Sequence, residues 1–225
     1  MGKPSNKEFR EIFNVAASQY DAGTNSYALA RRIEFVTTHA RGACLEVGAG
    51  TGEISRALAG VHAVTATDIA PGMVEEIKRK MNIPALVCDA EELPFPDASF
   101  DTVVCGEVVY YLDRPERFIA EAKRVLRPNG LLLITFASSM TTFYDRIRTL
   151  LRVLGFGSMY FDDRMHTYPS TTYIGNIIRA SGFHLKEVQR LVVVPVRSLD
   201  FLNRILEKTP LKHAAAFTAC MAVKA

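Results

Sequence analysis

Residues 45–52, Leu-Glu-Val-Gly-Ala-Gly-Thr-Gly, place an acid and three glycines at every second position: Glu46, Gly48, Gly50 and Gly52. Cys44, Leu45 and Val47 read as a buried strand ahead of the turn, and Glu53 to Leu58 as the first turns of a helix behind it. A glycine turn between strand and helix lets backbone approach a ligand closely, because glycine has no β-carbon and tolerates positive φ. The helix start then offers free N–H groups to that ligand's polar atoms. The same stretch also excludes. The dinucleotide fingerprint G-x-G-x-x-G wants its last glycine where Glu53 stands, and a pyrophosphate would meet that carboxylate. No Gly-Lys-Ser/Thr follows, so the phosphate-binding loop of nucleotide hydrolases fails too. An acid two residues before the first glycine suits a ligand with a cationic amine. Taken alone, the turn also fits a structural bend in any α/β domain.

The rest of the chain alternates helix and strand, which argues for a parallel sheet covered on both faces. Helices are expected over Lys7–Ala17 and Ser26–Thr38. The core then reads as strand 43–47, helix 52–59, strand 61–67, helix 71–81, strand 84–88, loop 89–99, strand 100–105, helix 115–126 and strand 130–136. Phe118, Ile119, Ala122, Val125 and Leu126 form one stripe of the helix at 115–126, with Pro115 in its first turn and Arg127-Pro128-Asn129-Gly130 turning the chain. Beyond Ala137, a helix over 141–156 precedes a loop carrying Met159, Tyr160, Phe161, His166 and Tyr168. Ser170 caps a helix over 171–181 that Gly182 ends. A strand over 183–196, a short helix over 198–208 and a last strand over 214–223 complete seven strands.

Acids recur where strands end. Asp68 lies 18 residues after Gly50 at the end of the second strand, placed to accept two hydrogen bonds from a ribose diol. Asp89 ends the third strand, and Gly106-Glu107 follows the fourth.

Four pieces at a shared spacing carry a family likeness: Leu45–Gly52, Thr67–Met73, Cys88–Asp101 and Val125–Ile134. With them the chain resembles the class I S-adenosylmethionine-dependent methyltransferases, in the small-molecule branch similar to quinone- and biotin-pathway enzymes. The likeness covers about residues 9–138, and Phe13–Asp21 looks like that branch's lead-in helix and Tyr-Asp turn. It implies an α/β, Rossmann-like fold: a seven-stranded, mostly parallel sheet with helices on both faces, the last strand antiparallel, plus helical lid elements. It also implies S-adenosyl-L-methionine as cofactor. The expected organisation is one domain over 1–225, with a helical lid at 1–40, the cofactor-binding core at 41–137, a substrate lid at 138–170 and a closing helix and strands at 171–225.

Length, charge and cysteines set the outer bounds. A chain of 225 residues, 48% apolar and 23% charged, fits one soluble globular domain. With 27 basic against 24 acidic side chains, no nucleic-acid footprint is expected. No run approaches the ~18 apolar residues of a transmembrane helix, and the first residues lack the apolar centre of a signal peptide. Cys44, Cys88, Cys105 and Cys220 all fall in expected strands without a C-x-x-C pair. The expectation is therefore reduced core thiols in a cytoplasmic protein, a monomer or homodimer, with no metal site.

The likeness assigns the remaining roles. Gly48, Gly50 and Gly52 let backbone lie against the cofactor. Glu46 sits near its amine, or bonds the turn's own N–H groups, or does both. Asp68 takes the ribose, against a competing role as N-cap of the helix near Pro71. Ile69 and Met73 flank the adenine, Asp89 accepts from its amino group, and Ala90 adds a backbone contact. Cys105 and Gly106 touch the cofactor through backbone, and Tyr20 covers its methionine end unless it is core.

The reaction is in-line methyl displacement, in which the protein mainly orients the partners. An oxygen or nitrogen acceptor also needs a base. His166 and then Glu107 are the candidates, with surface or packing roles as the plain alternative, and Tyr110 and Tyr111 offer stacking. Phe143, Tyr144, Phe156, Met159, Tyr160, Phe161 and Tyr168 suit a small apolar or aromatic acceptor. Three alternatives stand beside this reading. They are a cofactor-binding regulator or scaffold without methyl transfer, an RNA or protein methyltransferase, and a nicotinamide dehydrogenase disfavoured by Glu53.

Overall fold

The computed structural model describes residues 4–23, 26–142, 168–192 and 200–225. Helix α1 (Asn6–Ala16) opens with a reciprocal cap: the Ser5 hydroxyl accepts from the Glu8 N–H, and the Glu8 carboxylate accepts from the Ser5 N–H. A 3-10 segment (Ala17–Gly23) leads to α2 (Ser26–His39). The alternating core follows as β1 (Ala43–Val47), α3 (Glu53–Ala59), β2 (Ala63–Asp68), α4 (Pro71–Lys80), β3 (Ala85–Val87), β4 (Phe100–Gly106), α5 (Pro115–Val125) and β5 (Leu126–Ala137). After it come α6 (Thr171–Ala180), β6 (Phe183–Leu191), α7 (Asp200–Leu206), a 3-10 segment (Pro210–Ala214) and β7 (Phe217–Lys224).

The seven strands form one sheet in the order β3-β2-β1-β4-β5-β7-β6. The first five in chain order pair in parallel, and β7 runs antiparallel between β5 and β6. The chain's progression across the sheet reverses at β1, with β2 and β3 laid down on one side and β4 and β5 on the other. In open α/β sheets the ligand crevice opens there, beyond the carboxyl ends of the strands.

Side-chain alternation assigns the two faces. On β5, Leu132, Ile134 and Phe136 pack with Phe118 and Ile119 of α5 and Ile174 and Ile178 of α6. Leu131 and Leu133 pack the other way, with Phe35 of α2 and Ile54 and Leu58 of α3. Both faces are therefore apolar, as a helix-covered parallel sheet requires. Pro71 and Pro115 occupy the first turns of their helices, where a missing N–H costs nothing. Ser170 caps α6 by accepting from the Tyr173 N–H at 3.1 Å, and Gly182 leaves that helix at φ 78°.

Several boundaries differ from the sequence expectation. The fifth strand starts at Leu126, directly after α5, not at Gly130. Leu126 pairs with Phe100, the register then shifts, and Leu131 pairs with Thr102. Arg127–Gly130 fill the shift as a bulge, with Asn129 at φ 61° and Arg127 tied to Asp101 at 2.7 Å. Strand β3 is three residues long, so Cys88 lies past its end and only half-buried, while Cys44, Cys105 and Cys220 are buried as expected. Neither 3-10 segment was legible as such, and β7 starts at Phe217. Among the described residues, no helix is long and apolar enough to cross a membrane.

Candidate active site

Four strands deliver their carboxyl ends to a cleft that encloses about 700 Å³ of space, open solvent included, and α1 lines one side of it. Its floor is the glycine turn after β1. The Ala49 N–H donates to the Thr67 carbonyl at 2.8 Å, and the Gly50 N–H donates to Asp68 Oδ2 at 2.8 Å. Gly48 and Gly50 hold φ 68° and 55°, a region that side-chain-bearing residues rarely adopt. A β-carbon on Gly48 would lie 2.2 Å from Val108 Cγ2, whereas one on Gly50 would meet only Tyr20, at 3.7 Å. The face of Gly50 is thus open toward the cavity. Gly52 turns elsewhere: a β-carbon there would strike Met81 and Ile77, so this glycine serves packing against α4.

Asp68 stands at the cavity wall, 8% exposed. Its Oδ1 accepts from the Ala70 N–H at 2.9 Å, while Oδ2 holds Gly50. The N-cap of α4 is Ala70, with no side-chain cap, so Asp68 latches the glycine turn instead of capping that helix. Burial raises its pKa, and the backbone N–H bonds oppose that rise. Asp89 lines the cavity beside Ala90; its Oδ2 accepts from Asn6 of α1 at 3.2 Å and its Oδ1 from the Glu91 N–H at 2.9 Å. Ile69, Met73 and Tyr20 complete this side.

On the far side, Gly106 and Glu107 leave β4. Glu107 has φ 62°, a strained value for a non-glycine residue. Its Oε2 accepts from the Tyr110 hydroxyl at 3.1 Å and from the Ala137 N–H at 3.0 Å. Its Oε1 is buried with no hydrogen-bond partner, and Arg32 Nη1 of α2 lies 4.0 Å away. The neighbouring Thr135 Oγ1 is likewise buried and outside hydrogen-bond geometry among the described residues, yet its hydroxyl is close enough to favour the ionised Glu107. Burial raises the pKa of Glu107, and the Arg32 charge pulls it back.

Glu46 and Cys105 belong behind the wall. Glu46 is buried under α3, where it accepts from the Ser55 hydroxyl, and burial pushes its pKa up to about 7. Cys105 is fully buried in the α5-side core. The cavity therefore gathers Tyr20, Gly48, Gly50, Asp68, Ile69, Met73, Asp89, Ala90, Gly106 and Glu107, and leaves Glu46, Gly52 and Cys105 outside its lining. His166 lies outside the described residues, as do Phe143, Tyr144, Phe156, Met159, Tyr160 and Phe161.

Sequence reasoning expected a helical lid at 1–40 but did not name Asn6, Phe9 and Phe13, which line the cavity. The signal was present, because Phe9 and Phe13 are four apart on one helical face. Phe9 and Phe13 each meet Tyr111 edge-on, at 5.0 and 5.1 Å, and Tyr110 continues the aromatic wall to Tyr168 at 5.7 Å.

Comparison with known proteins agrees with this geometry. Residues 45–134 match a family described as "Methyltransferase domain", a span that runs from the glycine turn to the middle of β5. The ubiquinone/menaquinone biosynthesis C-methyltransferase UbiE of Bordetella avium is 32% identical over 149 residues, which are 59% of this chain and 58% of that protein. The chain thus spans less than two thirds of that relative's length. Among solved structures, an S-adenosylmethionine-dependent methyltransferase of Thermotoga maritima superposes with a TM-score of 0.73 at 22% identity, covering 96% of this chain and 99% of that one. The [4+2]-cyclase SpnF superposes with a TM-score of 0.68 at 16% identity, covering 100% and 97%. At such identities the likeness establishes the fold alone, and the cyclase shows that the fold does not dictate one chemistry. The matched span is seated on the cavity within the sheet order of the fold, so residues 45–134 form a methyltransferase domain similar to those of the class I S-adenosylmethionine-dependent enzymes.

Proposed function

We propose that this chain transfers a methyl group from S-adenosylmethionine to a small apolar or aromatic molecule, with Glu107 taking the proton of the acceptor. The family implies the cofactor, and the cavity fits it. Gly50 presents a face with no β-carbon, and Asp68 keeps lone pairs beyond its two backbone bonds. Glu46, Asp68 and Glu107 surround a ligand of net positive charge with acids. In this reading Asp68 accepts from the ribose hydroxyls and Asp89 from the adenine amino group. Ile69 and Met73 flank the adenine, and Tyr20 covers the methionine end. Gly48, Gly106 and the backbone of Ala90 allow close approach. Glu46 acts from below, through the field of its carboxylate.

The bound cofactor supplies an electrophilic methyl on a sulfonium, with a neutral thioether as leaving group. The protein's part is to hold the acceptor in line and remove its proton. The observation that carries the proposal is the buried Oε1 of Glu107, which has no hydrogen-bond partner among the described residues and only a long ion-pair contact with Arg32. It stands two strands from Asp68, roughly 10 Å at ordinary strand spacing, beside the aromatic wall of Tyr110 and Tyr111. A buried acceptor left without a partner costs about 1–3 kcal/mol, which an incoming O–H or N–H would offset. The four free thiols are in keeping with a reducing compartment such as the cytoplasm.

Incubation with methyl-labelled S-adenosylmethionine and a panel of phenols, quinols, amines and acids tests the reading. Label transfer to an aromatic acceptor, lost in Glu107→Gln, is the expected result. Saturable binding of S-adenosylhomocysteine by calorimetry without transfer to any acceptor would assign a cofactor-binding role instead. Absence of binding would remove the reading altogether.

A further inference from the structure

The cavity accounts for the acids, but not for a band of exposed apolar side chains on the same edge of the molecule. Phe201 and Ile205 of α7 are 68% and 61% exposed, and Leu211 of the following 3-10 segment is 57% exposed. Exposed Arg204, Lys208, Lys212 and His213 alternate with them. The inner face of the same stretch carries two anchored polar groups beside the half-buried Leu202 and Leu206. Asn203 is fully buried. Four residues on, Glu207 accepts from Tyr27, from Arg31 at 3.0 Å and from the Val192 N–H at 2.9 Å. The inward face thus mixes the half-buried Leu202 and Leu206 with two anchored polar groups, while Phe201, Ile205 and the cations face outward.

Register places the band. Segment 192–216 joins β6 to β7, and Leu191 and Ala137 both pair with Phe217. Ala137 is the carboxyl end of β5, so α7 sits at the edge where the parallel strands end and the cavity opens. The two are also joined mechanically. Tyr27 and Arg31 of α2 hold Glu207, and the next residue, Arg32, faces Glu107.

We propose that the α7 band is a docking surface for an anionic lipid bilayer, so that the acceptor reaches the cavity from the membrane. The charge pattern selects this occupant. Apolar side chains ringed by cations, with the acid Glu207 turned inward, match an interface of acyl chains beneath anionic headgroups. A helix with its cations on the same side as its apolar residues is repelled by a second copy of itself, which argues against self-association there. The choice of acceptor source rests on the methyltransferase reading above; the docking itself does not.

Sedimentation with phosphatidylcholine vesicles, with and without phosphatidylglycerol, tests the surface on the full chain. Binding is expected only to the phosphatidylglycerol vesicles, weakening with salt. Reversing charges in Arg204→Glu/Lys208→Glu should lower partitioning by at least about tenfold, since each cation near an anionic surface is worth about fivefold. Phe201→Ser/Ile205→Ser should release the protein as well. S-adenosylhomocysteine binding measured on each variant reports its fold and, in the parent chain, tests the methyltransferase reading independently. The proposal is overturned if the parent chain ignores anionic vesicles, if both folded variants bind them as the parent does, or if the parent forms a dimer that Phe201→Ser/Ile205→Ser dissolves.

Discussion

Glu107 holds a carboxylate in a place where ionisation is costly and useful at once. Two hydrogen bonds fix Oε2, while Oε1 is buried with the Arg32 charge at 4.0 Å and the Thr135 hydroxyl nearby to steady it. A proton acceptor needs a defined orientation and a pKa raised toward working pH, and burial supplies the second. Transfer to an acceptor that must lose a proton should therefore fall as pH drops through the raised pKa, with its acid limb above the ordinary carboxylate range. Glu107→Gln keeps an oxygen for the Ala137 N–H and the Tyr110 hydroxyl. It should slow transfer about 10²–10⁴-fold and erase that limb. Arg32→Met should move the limb upward by removing the cation that opposes burial. A pH–rate profile decides the matter, and an unchanged limb in the glutamine variant would exclude Glu107 as the proton acceptor.

At the scale of elements, the sequence disclosed what position along a strand determines and hid what packing determines. Asp68, Asp89 and Glu107 were legible because acids at strand ends stand out against apolar runs. The parity of β1 also explains Glu46. Leu45 and Val47 face the α5-side core, so Glu46 must point under α3, where Ser55 meets it. The bulge at Arg127–Gly130 was not legible, since it depends on pairing with Phe100, 26 residues earlier. Helix α1 was expected as part of a lid, but which of its side chains line the cavity was not legible: an apolar stripe over a cavity looks the same in sequence as one on a sheet. Its docking now rests on Phe9, 2% exposed and edge-on to Tyr111, together with the Asn6–Asp89 and Asn14–Gly72 bonds. Truncating a buried phenylalanine costs about 3–5 kcal/mol when the site cannot collapse. In Phe9→Ala the cheaper response is release of α1. Amide exchange over residues 6–16 should then accelerate by roughly 10²–10³-fold or more, the range that free energy sets, while β1, β4 and β5 keep their protection. Uniform loss of protection across the sheet would mean instead that α1 is part of the global folding unit.

For the molecule as a whole, the sheet order brings three acids from neighbouring strands into one low-dielectric region: Glu46 from β1, Asp68 from β2 and Glu107 after β4. Burial raises the pKa of all three, that of Glu46 to about 7. The folded protein then holds protons that the unfolded chain has already released. The stability tied to these groups is complete at pH values below the ordinary carboxylate range and drains away as pH rises through the raised values, by about 3 kcal/mol for Glu46 alone. A cationic ligand reverses the balance. It favours the ionised acids, lowers their pKa values and expels protons as it binds. S-adenosylmethionine carries one net positive charge more than S-adenosylhomocysteine, so it should expel more. Near pH 7, close to the raised pKa of Glu46, calorimetric binding enthalpies in phosphate and in Tris should differ by the proton count times the difference in buffer ionisation enthalpy. The difference should be larger for the methylated ligand and should shrink in Glu46→Gln. Equal enthalpies in both buffers for both ligands would mean that the cavity does not couple its acids to the charge of its ligand, and the account of why three carboxylates are buried together would fail.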